Sequence, residues 1–272
     1  MNAIAWICET CGVQSAPSDA PPAHCPICED ERQFVGWGGQ RWMTPAELVR
    51  QRSIQFRRED GVTTLSTVPA FAIDQRAFLI PHRGQHLLWE SLSVVTDAAV
   101  AEIEALGGVS CLAISHPHFY AAMIDWSEAL GGVPIYVHEA DRRWMQRPGP
   151  HVRYWSGERL LLSDELMLLR LQGHFEGSTG LWWRTGPRPG GSLFPGDALQ
   201  VGMDRRHVSF MFSYPNAIPL SPAVVRRLRD VVAPLAFEDL FGFSRGRQII
   251  GTAKAATHAS FERYLRAIAE PA

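Results

Sequence analysis

Ser115-His116-Pro117-His118-Phe119-Tyr120 follows the apolar run Val109–Ile114 and carries two histidines at i and i+2 on a turn leaving a strand. Two imidazoles so placed can be aimed at one point, which is what a divalent metal asks of its ligands. A strand end that buries two polar rings is costly unless something satisfies them. The competing reading is a polar loop that happens to hold two of the ten histidines. A third histidine lies in Gly173-His174-Phe175-Glu176-Gly177, between apolar runs, and a carboxylate follows Ser192–Phe194 in Pro195-Gly196-Asp197. Each side chain sits where a strand gives way to a loop, the place from which a rigid scaffold displays functional groups.

A second constellation lies at the other end of the chain. Four of the five cysteines are spaced Cys8-x2-Cys11-x13-Cys25-x2-Cys28. Each Cys-x-x-Cys puts two thiolates on one tight turn, and two such turns complete a tetrahedron. Gly12 and Pro26 suit those turns. A pair of disulfides is the alternative, against which stand the i, i+3 spacing and the reducing cytoplasm expected for this chain. All four donors precede residue 35, so the metal site is expected to need nothing beyond it. Cys111, inside the apolar run, reads as a small core residue.

In order and spacing, His116, His118, His174 and Asp197 resemble the metallo-β-lactamase-fold hydrolase superfamily. Its members carry a His-x-His-x-Asp-His motif, a downstream Gly-His, a later Gly-Asp and a final His. The resemblance spans about residues 60–270. It implies an α+β chain built as a four-layer αβ/βα sandwich, which periodicity alone does not select among α/β folds. It also implies His116, His118 and His174 as the first three metal ligands and Asp197 as the bridging one. The chain departs from the motif at Tyr120 and Ala121, where the family has Asp and His. Alanine cannot ligate, and a neutral tyrosine is a poor ligand for a divalent ion. One tightly held ion is therefore expected. Of the histidines left for the final position, His258 falls in Ala253–Ala269, which reads as a terminal helix, and His207 follows Asp197 by only ten residues. The cysteine segment, with Phe34 after it, resembles the rubredoxin-like module of rubrerythrins, which takes iron or zinc. Zinc is the expected occupant of both sites, with iron the alternative in either.

Three histidines and one open position are what a catalytic zinc requires. The expected chemistry is hydrolysis of an ester, lactone, thioester or amide of a small-molecule substrate by a water on zinc. Asp197 would complete the metal shell or take the proton. Tyr120 would donate its hydroxyl to a developing oxyanion or form a pocket wall. Tyr120 and Ala121 also raise a second reading, a non-catalytic or sensing protein with a degraded metal centre. An iron-dependent redox protein is the third.

Several elements must position these groups. Residues 1–35 form the cysteine module and 36–60 a linker with a short helix, started by Thr44, Pro45 and Glu47 as a capping box. Its apolar Leu48 and Val49 are expected to pack the module against the main domain, residues 61–272. There strands alternate with helices, among them a helix over Tyr120–Leu130 and one starting at Ser221-Pro222. His138 ends a strand and reads as a structural histidine or as a hydrogen-bond partner of a metal ligand. Val208–Asn216 reads as core first, then as a pocket wall or interface. Hydrophobic content of 46% and charged content of 20% suit a globular enzyme, and a net charge of −2 offers no field for nucleic acid or an anionic membrane. Without a long apolar stretch or a basic, apolar leader, a cytoplasmic location is expected.

Overall fold

The computed structural model describes residues 3–268, so the outermost ends of the ranges 1–35 and 61–272 lie outside the described residues. The chain is a mixed α+β protein of two compact units, one through Trp155 and one from Ser156.

The first unit is built on a seven-stranded sheet. Its order is Ser53–Glu59, Val62–Val68, Arg76–His82, Gln85–Trp89, Val109–Ala113, Ile135–His138 and Val152–Trp155. The first four strands are antiparallel neighbours and the last three join in parallel. Val109–Ala113, flanked on both sides, is almost wholly buried, as its run of small and branched apolar residues requires. The helix before it, Asp97–Ala105, ends at Gly107 and Gly108, both at positive φ. The helix Pro45–Gln51 starts with the capping box read from the sequence: Glu47 N–H donates to Thr44 Oγ1 at 3.1 Å, and Thr44 N–H to Glu47 Oε2 at 2.9 Å. Leu48 is buried in a small core with Ile7 and Val94, but Val49 is 40% exposed. The short helix thus packs through one of its two apolar residues, since adjacent positions on a helix face about 100° apart.

The second unit has a six-stranded sheet in the order Arg159–Leu161, Leu166–Arg170, Thr179–Trp183, Ser192–Phe194, Asp239–Phe241 and Gln248–Ile249. Only Ser192–Phe194 and Asp239–Phe241 pair in parallel. Helix Pro222–Val232 begins at its Ser221 cap and buries Val225, Leu228 and Val232 at helical spacing. They join Leu193, Phe210 and Phe261 in one core. Among the described residues no helix is long and apolar enough to cross a membrane.

Candidate metal centres

The cysteine centre is local. Ile7–Cys8 pairs antiparallel with Trp42–Met43, and Cys25–Cys28 forms the start of a one-turn helix with Pro26 at its first position. All four thiols are buried and none is in a disulfide. Cys8 Sγ lies 3.6 Å from Cys28 Sγ, and Cys11 Sγ 3.7 Å from Cys25 Sγ. A disulfide would bring sulfurs to about 2.05 Å, whereas four sulfurs at about 2.3 Å from a tetrahedral ion stand about 3.8 Å apart. The residues therefore fit a tetrathiolate metal. Hydrogen bonds from Cys11, Cys25 and Cys28 hold the Cys8 thiol far below its ordinary value, while burial pushes Cys11 well above it. Packed thiols cannot all ionise without a cation among them. The support for this centre does extend beyond residue 35, contrary to expectation: Gln40 Nε2 donates to Cys8 Sγ at 3.2 Å, and Ser93 Oγ to the Gly12 carbonyl at 2.8 Å. The reason is that a module with only Ile7 and a few neighbours as core must borrow packing from the sheet beside it.

His116 and His118 leave the central strand on a tight turn. His116 is extended and His118 sits in the single 3-10 turn Pro117–Phe119; both are buried, with ring centroids 5.1 Å apart. Ser115 Oγ pairs with His116 Nδ1 at 2.8 Å, and Ser115 N–H donates to Glu90 Oε2 at 3.0 Å. Glu90 is itself buried and adopts φ +67°, in the left-handed region. It escaped the sequence reading, where it looks like the polar end of the strand Gln85–Trp89. A lone charge closing an apolar run was the available signal. Ser91 Oγ then bonds the carbonyls of Phe119 and Tyr120, at 3.2 and 3.0 Å.

In the second unit, His174 Nδ1 bonds the Phe212 carbonyl at 2.9 Å, so Nδ1 carries the proton and Nε2 the lone pair. His174 Nε2 stands 3.8 Å from Asp197 Oδ2. Two ligands on one ion at about 2.1 Å can be at most about 4.2 Å apart, so this spacing suits a shared ion. Val208–Asn216 holds core residues, as first read, and also braces the site: Tyr214 hydroxyl donates to the Asp197 carbonyl at 3.0 Å. Among the described residues, one ligand atom of each of Cys8, Cys11, Cys25 and Cys28 lies within 4.8 Å of the others, whereas the buried His116 and His118 belong to the first unit and the buried His174 and Asp197 to the second.

Of the remaining candidates, Tyr120, His138 and His207 have partners of their own. Tyr120 is buried and its hydroxyl donates to the Asp141 carbonyl at 3.4 Å. Burial, then the nearby Asp141, pushes its pKa well above the ordinary value, so it stays protonated. Ala121 is buried at φ +36°, and this left-handed residue breaks the expected helix Tyr120–Leu130, which runs only over Met123–Ala129. His138 Nδ1 accepts the Ala140 N–H at 3.1 Å and packs edge-on to Trp155. His207 is paired with Asp204 at 2.5 Å on a surface turn. His258 lies on the exposed side of helix Ala253–Ala267.

No family model matches the chain. "Uncharacterized protein YmaE" of Bacillus subtilis (strain 168) is 40% identical over 97% of this chain and 96% of its own length. Among solved structures, VMB-1 superposes with a TM-score of 0.60 at 13% identity, covering 80% of this chain and 99% of that one. The DIM-1 metallo-beta-lactamase gives 0.57 at 11% identity, covering 79% and 100%. A metallo-beta-lactamase from Hirschia baltica gives 0.53 at 16% identity, covering 78% and 96%. The chain thus has the metallo-β-lactamase fold, preceded by a four-cysteine cluster consistent with a zinc-ribbon-like module, and it belongs to the family of Bacillus subtilis YmaE.

Proposed function

We propose that the protein is a metal-dependent hydrolase whose single catalytic ion is held by His116, His118 and His174, with Asp197 beside them. The observation that carries this reading is the pair of buried donors in each unit: His116 with His118, ring centroids 5.1 Å apart, and His174 Nε2 with Asp197 Oδ2 at 3.8 Å. Uncompensated, three imidazoles and a carboxylate at this depth would be costly. A bound zinc ion would lower the pKa of water to about 7 and polarise a carbonyl. The chain's own residues would do the rest. The Phe212 carbonyl keeps the proton of His174 on Nδ1 and so presents Nε2 as the donor atom. Asp197, its main chain fixed by Tyr214, completes the donor set or takes a proton from water during attack on an ester, lactone, thioester or amide of a small molecule. Tyr120, protonated and tied to Asp141, is better suited to wall the site than to ligate.

The cysteine centre is a structural zinc site in this reading. Metal analysis of the purified protein with optical absorption tests both halves. Two zinc ions per chain and no visible band are expected. A coloured ferric tetrathiolate would turn the reading toward redox chemistry, and loss of no metal on replacing His116 and His174 would end the hydrolase assignment.

A further inference from the structure

The cysteine module reaches the turn that carries His116 and His118, and does so through two residues next to Cys11. Gly12 adopts φ +80° against Ser93; a Cβ there would come within 2.5 Å of Ser93 Oγ and 3.2 Å of Ala72 Cβ. Two residues on, Gln14 is 2% exposed and its main-chain N–H donates to the Ala121 carbonyl at 3.1 Å. Its side chain spans an ion pair: Gln14 Nε2 donates to Asp125 Oδ2 at 2.6 Å, while Arg147 Nη1 donates to Gln14 Oε1 and to Asp125 Oδ1, each at 2.5 Å. The fit leaves a cavity of only about 10 Å³ between these segments. Ala121 is three residues after His118 and is held in a left-handed conformation that an alanine disfavours. Such a conformation persists only when its surroundings over-determine it. Here they include Ser91 Oγ, which bonds the Phe119 and Tyr120 carbonyls, the Leu92 carbonyl, which takes the Ala122 N–H at 3.4 Å, and the Gln14 N–H on the carbonyl of Ala121 itself.

We infer that Gln14 is a positioning residue for the histidine centre: the cysteine module acts as a strut that holds Ala121, and through it the His116–His118 turn, in metal-binding geometry. This rests on the proposed metal role of those histidines. Family members would place a ligand pair at positions 120 and 121, so the turn there would be tied down by metal. In this chain the same backbone is tied down by Gln14 and its partners. Cys11, if held by an ion bound to the four cysteines, would fix where Gly12 and Gln14 stand.

The test uses the full chain loaded with cobalt(II), whose sulfur charge-transfer bands report the cysteine centre and whose weaker visible bands report the histidine centre. Gly12→Ala, which drives the strut away from Ser93, and Gln14→Met, which keeps side-chain volume and the main-chain N–H, are titrated with a chelator beside Val49→Ala, an exposed control in the first unit. Gln14→Met and Gly12→Ala should each weaken cobalt at the histidine centre about tenfold or more, about 1.4 kcal/mol. Their visible bands should shift, and in Gln14→Met the sulfur bands should stay unchanged. Val49→Ala should match the wild type. Wild-type affinity and bands at the histidine centre in Gln14→Met, with the sulfur bands intact, would overturn the strut alone. A wild-type chain that shows only sulfur bands would remove the metal reading and the strut together.

Discussion

Four cysteines within 21 residues form one buried quartet, whereas the donors of the proposed histidine centre are spread over 82 residues as one buried pair in each unit, so the two centres are reached by different routes. The cysteine centre needs two tight turns and one pair of short strands, so its geometry follows from local chain stiffness and ligand type. The histidine centre needs a parallel strand to deliver one turn, and a Gly-bracketed loop and a strand end to deliver the other half. Two of its supports are distant in sequence: the Phe212 carbonyl, which accepts from His174, and Glu90, which accepts the N–H of Ser115 beside His116. A local centre derives its folding energy from the ion; a dispersed one spends the energy of the fold to hold its ligands ready.

Removing a ligand from each centre sharpens this contrast most. Cys25→Ser should release one metal equivalent and lower stability by several kcal/mol, since a structural zinc supplies about 10–16 kcal/mol in small peptides. Metal analysis and chemical denaturation would show it; an unchanged midpoint would mean that the module folds without its ion. His174→Ala should release the other equivalent and cut any hydrolytic rate by about a hundredfold or more, while unfolding shifts far less. If its loss instead unfolds the chain as Cys25→Ser does, the two centres are energetically alike and the contrast fails.

Smaller changes probe the scaffold of the dispersed centre. Glu90→Ala leaves the Ser115 N–H buried without this acceptor, a loss of about 1–3 kcal/mol. It should loosen the histidine metal without touching the cysteine one, read by separate chelator titrations. The smallest effect concerns the thiol outside both centres. Burial pushes Cys111 up to about 11 from an ordinary 9.0. Because its folded pKa is the higher, its contribution is full below about pH 9 and fades as pH rises to 11, about 1.4 kcal/mol being lost at pH 10. Cys111→Ala should remove that part of the alkaline slope. In the native protein near pH 8, a thiol reagent should find no reactive cysteine until a chelator frees four, Cys111 reacting only on unfolding.

Much of this was legible in the chain itself. The Cys-x-x-Cys pair, the His-x-His turn, the capping box at Thr44 and the Ser221-Pro222 helix start are all written within a few residues, and each is present in the structure. Local rules decide such features because the interactions that define them lie within one or two turns of backbone. Other features were decided only by tertiary structure. Glu90 and Gln14 read as ordinary polar residues until the fold set one against Ser115 and the other against Ala121, Asp125 and Arg147. The left-handed turn at Ala121 opposes alanine's own preference, so no local rule could have placed it. Composition and spacing thus determined which atoms could bind metal; long-range hydrogen bonds between segments far apart in sequence decided how those atoms are held, because their energy exists only once the chain has closed the loops between them.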